Sequence, residues 1–343
     1  MGPALQETDG AMRTSFWLTS EVICREPATR PVPSPLPELT PAAICAIIVT
    51  YNPDDFSLQT IRTIIEEAAH VVILDNHSGE SSLQKLRPLK SATVTLVENA
   101  ENTGIAGGLN RGIQAAAEKG YQWFLLFDQD TKIFPATIPA LIDAYAHCFS
   151  ELGGKLGLLG SNYHLHLVKE DQIFDGNVPF CQGKPWSVGK LILTSGTLIN
   201  GQNFKALGPF REDLFIDHVD HEYQLRAMRR GLVVARTALP LLVHRLGLQH
   251  KRRALLAFGR KKMSSYYSPL RRYYQIRNFA TLAREYENEF PEIIGFIRRS
   301  IKRETFRALK YEGGFCKNLV SILLALRDSR RGITGKYNGR IAL

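Results

Sequence analysis

Residues 123–130 have the sequence Trp-Phe-Leu-Leu-Phe-Asp-Gln-Asp (WFLLFDQD), an apolar run that stops at two acidic residues. Five consecutive apolar residues followed by a polar turn predict a strand buried on both faces. Asp128 and Asp130 then follow the carboxyl end of this strand, where two neighbouring carboxylates repel each other unless a cation neutralises them. Mg²⁺ is often held by one or two carboxylates together with substrate phosphates. The pair therefore predicts a metal site, with a solvated acidic turn as the structural alternative.

The same pattern of a short apolar run followed by polar residues occurs three times earlier in the chain. The runs cover residues 44–50, 71–74 and 93–97, and helical stretches separate them. This alternation predicts an α/β fold with a mainly parallel sheet covered by helices on both faces. Right-handed crossovers place the carboxyl ends of parallel strands at one edge, where such sheets bind ligands. We therefore expect the polar residues after all four runs to line one site.

Two polar segments follow the second and third of these runs. Asp75 ends the second run, where a carboxylate either accepts a hydrogen bond from a nucleobase or ribose or caps a turn. The glycine-rich residues 102–110 follow the third run, and their glycines allow the backbone to approach a ligand closely. Their spacing is neither that of a P-loop nor that of a dinucleotide-binding turn.

Residues 215–222 (FIDHVDHE) concentrate three carboxylates and two imidazoles before a helix predicted over residues 220–230. Acidic residues are common at helix starts because they interact favourably with the helix dipole. The functional alternative is a general base beside a bound substrate. His244 ends a later apolar run. A lone histidine in this position is usually structural, and it becomes a candidate ligand if Asp130 and a diphosphate lie near it.

Beyond residue 149 the pattern is less regular, with strands and long loops expected over residues 153–160, 162–182 and 191–200. From residue 255 onward it predicts helices. We divide the chain into a disordered, proline-rich leader (1–42), a catalytic domain (43–250) and a basic helical C-terminal region (251–343). The leader has six prolines between Pro27 and Pro41, a composition typical of extended, poorly packed segments.

The overall composition excludes several classes of protein. The chain has 343 residues with 44% hydrophobic and 22% charged residues, which is not typical of a disordered or fibrous protein. Its longest candidate apolar run, residues 319–326, is far shorter than the roughly 20 residues of a membrane span. No secretory signal is recognisable at the start. Five scattered cysteines indicate reduced thiols, and we expect a cytoplasmic protein.

The net charge of +10 is distributed unevenly along the chain. Residues 245–343 have 23 Lys+Arg against 7 Asp+Glu, whereas the first 244 residues have 20 against 26. A basic C-terminal third predicts contact with an anionic partner. Within it, basic and apolar residues alternate over residues 293–307, which is typical of a helix at a membrane surface and equally of a solvated face packed on the catalytic domain. Nucleic-acid binding is a rival prediction from the same charge, but it leaves the conspicuous acidic residues without a role.

Taken together, the ordered motifs of residues 44–335 resemble the inverting family-2 glycosyltransferases, most closely their bacterial rhamnosyltransferase branch. The resemblance depends on several short motifs in the correct order. They are Val49-Thr50-Tyr51-Asn52-Pro53, Leu74-Asp75-Asn76-x-Ser78, Asn102-x-Gly104-Ile105-Ala106 with Asn110, Asp128-Gln129-Asp130, Phe215-Ile216-Asp217-x-Val219-Asp220-x-Glu222 with Arg226, and Tyr273-Tyr274-x-x-Arg277-Asn278.

The resemblance implies the GT-A fold of nucleotide-diphospho-sugar transferases and a set of site residues. Asp220 aligns with the catalytic base. Many relatives have Glu-Asp where this chain has Val219-Asp220, so Asp217 is a competing base. The residues implied to bind the nucleotide sugar are Thr50, Tyr51, Asn52, Asp75, Asn102, Asn110 and Asp128. The implied ligands of a divalent metal, Mg²⁺ or Mn²⁺, are Asp130, Asp128 and His244.

The resemblance also implies the reaction and its partners. The expected donor is dTDP-β-L-rhamnose, and the expected acceptor is a glycan of a cell-surface polysaccharide carried on polyprenyl diphosphate. Peripheral contact with the cytoplasmic face of the inner membrane would suit this acceptor, and no nucleic acid is expected as a partner. The same fold using a UDP-hexose or UDP-galactofuranose donor is the alternative.

Overall fold

The computed structural model describes residues 38–165, 184–189, 191–244, 248–253, 261–311 and 314–339. Most of the predicted leader (residues 1–37) and most of the segment predicted as strands and loops over residues 162–182 lie outside the described residues. No helix in the described ranges has both the length and the apolar character needed to cross a bilayer.

The centre of the fold is one mixed sheet with the strand order β3-β2-β1-β4-β8-β6-β9-β5, to which β7 is added by pairing with β9. A separate two-stranded sheet consists of β10 and β11. The strands are β1 (Ile44–Thr50), β2 (His70–Asp75), β3 (Val94–Glu98), β4 (Trp123–Asp128), β5 (Thr131–Ile133), β6 (Leu156–Leu165), β7 (Trp186–Val188), β8 (Thr197–Asn200), β9 (Val233–His244), β10 (Leu248–Arg253) and β11 (Lys261–Tyr266).

The four predicted apolar runs form the parallel half of this sheet. Strand β1 pairs in parallel with both β2 and β4, and β2 pairs in parallel with β3. The register places Thr50 beside Asp75, and Val49 beside Asp128, so the strands end at nearly the same level. The predicted α/β fold with a mainly parallel sheet is confirmed. Beyond β4 the sheet is mixed, because β8 is antiparallel to both neighbours while β6 and β9 are parallel.

Helices cover both faces of the sheet, which explains why its strands are continuously apolar. Alternate residues of β1 belong to two different hydrophobic cores: Ile44, Ala46 and Ile48 to one, and the intervening side chains to the other. The helices are α1 (Asp55–Glu67), α2 (Glu80–Leu86), α3 (Gly104–Glu118), α4 (Thr137–Leu152), α5 (Gly201–Leu207), α6 (Val219–Arg229), α7 (Pro269–Tyr286), α8 (Pro291–Tyr311) and α9 (Phe315–Arg330).

The glycine-rich segment has a packing role that differs from our sequence interpretation. A Cβ atom on Gly108 would lie 2.7 Å from Val49 Cγ1, and one on Gly112 would lie 2.5 Å from Ile47 Cγ2. These glycines allow α3 to pack closely against β1. They permit close contact between helix and sheet, and the expected approach of this segment to a ligand stays a prediction.

The C-terminal helices pack on the sheet, and the prediction of a helix from residue 255 is wrong over part of its length. Residues 261–266 form strand β11, which pairs with β10. Helix structure begins only at Pro269, where Ser268 caps α7 by accepting a hydrogen bond from Arg271 N. Leu282 of α7 and Ile294 of α8 are buried in the same core as one face of the sheet.

Candidate active site

The turn after β2 is built around the buried carboxylate of Asp75. Its Oδ1 accepts hydrogen bonds from Thr50 Oγ1 (3.1 Å) and Ser78 Oγ (2.5 Å), and its Oδ2 accepts one from Ser78 N (2.8 Å). Asp75 and Thr50 have no exposed surface. Three donors compensate the charge of the carboxylate. Asp75 therefore fills the structural role of holding this turn, and contact of Thr50 and Asp75 with a nucleoside stays a prediction.

Gln129 joins the ends of β1 and β4. The Tyr51 backbone N–H donates to Gln129 Oε1 (2.8 Å), and Gln129 Nε2 donates to Tyr51 O (3.2 Å). Asn52 Oδ1 accepts from Gly79 N (2.9 Å), which ties the same turn to the start of α2. Tyr51 remains 50% exposed at this edge. Of the residues predicted to bind the nucleotide after β1, Tyr51 and Asn52 are therefore the accessible ones.

A network of amide side chains fixes the start of α3. Asn76 Nδ2 donates to Asn102 Oδ1 (3.2 Å) and to Gly104 O (2.8 Å). Asn110 exchanges two hydrogen bonds with the Phe210 backbone, at 2.9 and 2.8 Å. Asn102 and Asn110 thus have structural roles next to the edge where the strands end. Their predicted place near the nucleoside stays a prediction.

Three carboxylates from separate parts of the sequence share one electrostatic environment. Asp128 ends β4, Asp130 precedes β5, and Asp220 lies in the first turn of α6. Desolvation by burial, together with the charges of Asp130 and Asp220, raises the pKa of Asp128 to about 7, whereas Arg271 opposes the shift. Asp130 and Asp220 therefore lie on the same side of the molecule, within electrostatic range of Asp128.

The chemistry of this cluster suits a hard divalent cation. Asp128 and Asp130 supply carboxylate oxygens, and burial and the neighbouring carboxylates both raise the pKa of Asp128. Strand pairing places His244 opposite Thr131, the neighbour of Asp130, but the side chain of His244 lies outside the described ones. Among the described residues, no three His, Cys, Asp or Glu side chains already form a cation-binding group. A cation here would take further ligands from a bound diphosphate.

The loop before α6 is held in a strained conformation. Phe215, Asp217 and His218 all have positive φ angles (62–64°), which are unfavourable for residues other than glycine. Asn278 Nδ2 contacts the carbonyl oxygens of Leu214, Ile216 and Asp217 at 2.8–3.0 Å. Arg277 donates to Leu214 O (3.2 Å) and to Gly335 O (2.6 Å), so the chain after α9 also supports this loop.

The two candidate bases in this loop have different surroundings. Asp217 forms an ion pair with Arg271, whose Nε lies 3.3 Å from both carboxylate oxygens. Glu222 is buried and pairs with Arg226 at 2.8 Å. Asp220 instead lines a small pocket between the sheet and α6 and acts electrostatically on Asp128. Of these three acids, Asp220 is the one that faces the acidic cluster.

Sequence analysis missed the roles of Gln129, Asn278 and Arg271. Gln129 was the unassigned middle residue of the acidic motif, and Asn278 ended a motif that had no assigned function. For Gln129 and Asn278, the only sequence signal of a role was that each lies within a recognised motif. Arg271 lies 54 residues beyond Asp217 in a segment that was interpreted only through its basic charge. No local pattern connects these two residues.

With this geometry described, comparison with known proteins gives the class. The model of the family described as Glycosyl transferase family 2 matches residues 45–149, which include β1 to β4. The crystal structure of S. aureus TarS (residues 1–349) is similar, with a TM-score of 0.52 over 83% of this chain and 80% of that chain. At 14% sequence identity, this similarity bears on the fold alone. The chain has the GT-A fold, and the part that contains β1 to β4 matches the model of family-2 glycosyltransferases.

A curated relative extends the similarity beyond the matched domain. A protein of Shigella flexneri described as dTDP-rhamnosyl transferase RfbF is 28% identical over 309 residues, which cover 86% of this chain and 98% of the relative. An alignment of this extent includes the acidic loop of residues 215–222. The predictions of the family, the fold and a glycosyltransferase activity are confirmed.

Proposed function

We propose that this enzyme transfers L-rhamnose from dTDP-β-L-rhamnose to a hydroxyl group of a glycan, with inversion at the anomeric carbon. The observation that carries the proposal is the electrostatic cluster of Asp128, Asp130 and Asp220 at the carboxyl edge of the sheet. Such a cluster suits a site for a cation-bound diphosphate with one carboxylate left for the acceptor. The choice of rhamnose is supported by the relative from Shigella flexneri, which aligns over nearly its full length.

Asp220 is the proposed base. Its carboxylate would take the proton of the acceptor hydroxyl while the acceptor oxygen attacks C1 of the sugar. The bond from C1 to the diphosphate oxygen breaks on the opposite face, so a β-linked donor gives an α-L-rhamnoside. A positioned base of this kind contributes about 10²–10⁴-fold to the rate. Asp217 is less suited to this role because its carboxylate is already engaged in the ion pair with Arg271.

Arg271 has a different role in the proposal. Its guanidinium is fixed by Asp217 and lies 5.0 Å from the centre of the Tyr267 ring. The charge of Asp130 contributes to the raised pKa of Arg271, so its positive charge lies within range of the acidic cluster. A fixed guanidinium suits a diphosphate, because its planar array of donors matches phosphate oxygens. We assign Arg271 to binding the diphosphate of the donor.

The proposed metal ligands are Asp128 and Asp130, with His244 as a third candidate. A bound Mg²⁺ or Mn²⁺ supplies Lewis-acid stabilisation of the negative charge that develops on the diphosphate. The protein's own contribution is to hold the two carboxylates at the end of β4, where Gln129 fixes the turn between them.

The proposed acceptor is a glycan of a cell-surface polysaccharide on polyprenyl diphosphate, reached at the cytoplasmic face of the inner membrane. The basic charge of residues 245–343 supports this assignment, because both the carrier diphosphate and an anionic membrane attract cations.

A donor screen tests the proposed reaction. Thermal shift is measured with dTDP-rhamnose, UDP-glucose and UDP-galactofuranose, each with and without Mg²⁺ or Mn²⁺. We expect dTDP-rhamnose to give the largest stabilisation, and the divalent cation to increase it. A larger shift with a UDP-sugar would overturn the proposed donor, and equal shifts with and without cation would overturn the metal assignment.

A further inference from the structure

The buried side of helix α9 has small or polar residues, whereas its exposed side has large apolar residues. A surface helix of a soluble protein normally has the opposite arrangement. The buried residues are small or polar, and the exposed ones are large and apolar. The buried set is Asn318, Ser321, Ala325, Asp328 and Ser329. The exposed set, with exposed fractions, is Phe315 (54%), Leu319 (37%), Val320 (47%), Leu323 (57%) and Leu326 (38%).

Specific hydrogen bonds fix this orientation. Asp328 Oδ2 accepts a hydrogen bond from Tyr273 OH of α7 at 2.9 Å, and both residues are buried. Arg284 Nη1 of α7 donates to Ser329 O at 2.6 Å. Rotating α9 to bury its leucines would break these bonds and leave buried polar groups without partners, which is unfavourable. The apolar side of α9 is therefore held on the outside.

The exposed apolar residues form a continuous stripe. Phe315, Leu319, Leu323 and Leu326 follow one another at helical spacing along one side of α9. At 1.5 Å per residue, the stripe is about 16 Å long. Single exposed apolar side chains are normal on protein surfaces, whereas contiguous ones mark sites of interaction.

The surroundings of this stripe are basic. Helix α8 packs beside α9 and exposes Phe296 (60%) and Phe306 (63%). Arg299, Lys302 and Arg303 are exposed on the same helix. Together α8 and α9 have nine Lys+Arg against three Asp+Glu. A second copy of the chain, paired symmetrically through this surface, would bring two such basic surfaces together and be repelled.

We propose that the apolar stripe of α9 and the basic exposed side of α8 dock on an anionic lipid surface. Apolar side chains would enter the boundary between headgroups and acyl chains, while the cations contact lipid phosphates. The sequence interpretation placed the apolar contacts on Ile293, Ile294, Phe296, Ile297 and Phe306. Phe296 and Phe306 are exposed, whereas Ile294 and Ile297 are buried in the core shared with the sheet and are not accessible to lipid. The inference deepens the proposed function and rests on it, because a lipid-linked acceptor requires an enzyme at the membrane.

Vesicle co-sedimentation tests the surface without donor or acceptor. We expect the full chain to sediment with vesicles of phosphatidylcholine and phosphatidylglycerol, and much less with phosphatidylcholine alone. The double variant Leu319→Gln/Leu323→Gln should reduce partitioning about tenfold or more, since two leucines lose their burial in lipid. The matched control is Val188→Gln, an equally exposed apolar residue (53%) on β7, which should leave binding unchanged.

Several outcomes would overturn the proposal. They are a wild-type protein that does not bind anionic vesicles, equal binding by the double variant, and binding that appears only after residues 1–37 are deleted. Light scattering supplies another: a wild-type dimer that the double variant converts to a monomer would assign the surface to a second copy. The thermal shift with dTDP-rhamnose should be unchanged in the double variant. Loss of vesicle binding and failure of the proposed donor are thereby distinguished.

Cys316 provides an independent measurement, because it is exposed beside Phe315 whereas Cys45 and Cys148 are buried. An environment-sensitive fluorophore attached to Cys316, in a Cys24→Ser/Cys181→Ser background, should shift to shorter wavelength with anionic vesicles. The same label should not respond when Leu319→Gln/Leu323→Gln is added. A spectrum that is unchanged by vesicles in the otherwise wild-type background would place α9 in water and contradict the proposal.

Discussion

The ends of β2 and β4 each have an aspartate, and the two residues have opposite environments. Asp75 is completely buried, yet three hydrogen-bond donors from Thr50 and Ser78 compensate its charge. Asp128 is near two other carboxylates, and its pKa is raised to about 7. At the same edge of the sheet, the end of β2 is therefore a turn whose carboxylate is fully hydrogen-bonded, whereas the end of β4 has a carboxylate that is desolvated and crowded by other acids. Uncompensated charge of this kind is typical of a site that binds a ligand.

The largest effect that we expect concerns Asp220, the proposed base in the cluster of carboxylates. Asp220→Asn should lower kcat by about 10²–10⁴-fold, because the acceptor hydroxyl loses its base, while the affinity for the donor changes little. Asp217→Asn is the matched control in the same loop and should retain much more activity. Steady-state kinetics and donor titration of both variants check this. Normal turnover in Asp220→Asn, with an inactive Asp217→Asn, would transfer the role of the base to Asp217.

Replacing Asp75 in the turn after β2 should lower the stability of the fold. Asp75→Ala leaves the buried donors of Thr50 and Ser78 without an acceptor, so we expect a loss of about 2–4 kcal/mol in the free energy of unfolding. Asp55→Ala is the control, because this carboxylate at the start of α1 is 91% exposed and its pair with Lys85 contributes little. Urea denaturation measures both variants. Equal stability of the two would contradict the structural role of Asp75.

The proposed role of Arg271 in binding the donor diphosphate gives a further prediction. Arg271→Met should raise the Kd for dTDP about tenfold or more, because a charge-assisted contact with the diphosphate is lost. Arg271→Lys should recover part of the affinity, and Arg87→Met, which removes an exposed arginine paired with Glu98, should not change it. Isothermal titration with dTDP is the measurement. An unchanged Kd in Arg271→Met would limit Arg271 to holding Asp217.

The last prediction is a pH dependence of stability, measured with a chelator present. The pKa of Asp128 is raised from 3.8 to about 7 on folding, so the folded state binds this proton more tightly than the unfolded chain. The corresponding stabilisation is complete below pH 3.8 and is lost as the pH rises to about 7. The stability of Asp128→Asn relative to wild type should therefore increase across this range. A difference that stays constant with pH would contradict the crowded environment of Asp128.

The parallel half of the sheet could be predicted from the sequence because its strands are buried on both faces and therefore read as continuous apolar runs. The structure of the segment from residue 255 could not be predicted in this way, because strand β11 depends on pairing with β10. In the site, Asp128 and Asp130 were identifiable because they end a strand. The choice between Asp217 and Asp220 was not, because it depends on the contact with Arg271.

Helix α9 illustrates a further limit. Its amphipathic pattern is equally consistent with either side facing inward, since a periodic sequence does not specify what its neighbours offer. The buried partners Tyr273 and Arg284 decide the orientation, and they come from another helix. Sequence analysis used residues 319–326 only to exclude a membrane span, whereas the fold gives several of them an exposed position.

The contact of Arg277 with Gly335 has a consequence for how the enzyme is handled. The loop that presents Asp220 is strained, and part of its support comes from residues that follow the last helix. Trimming or tagging this end close to Gly335 should loosen the loop that contains Asp220, although more than 100 residues separate the two in sequence. The residues after α9 thus support a loop that lies far away in the sequence.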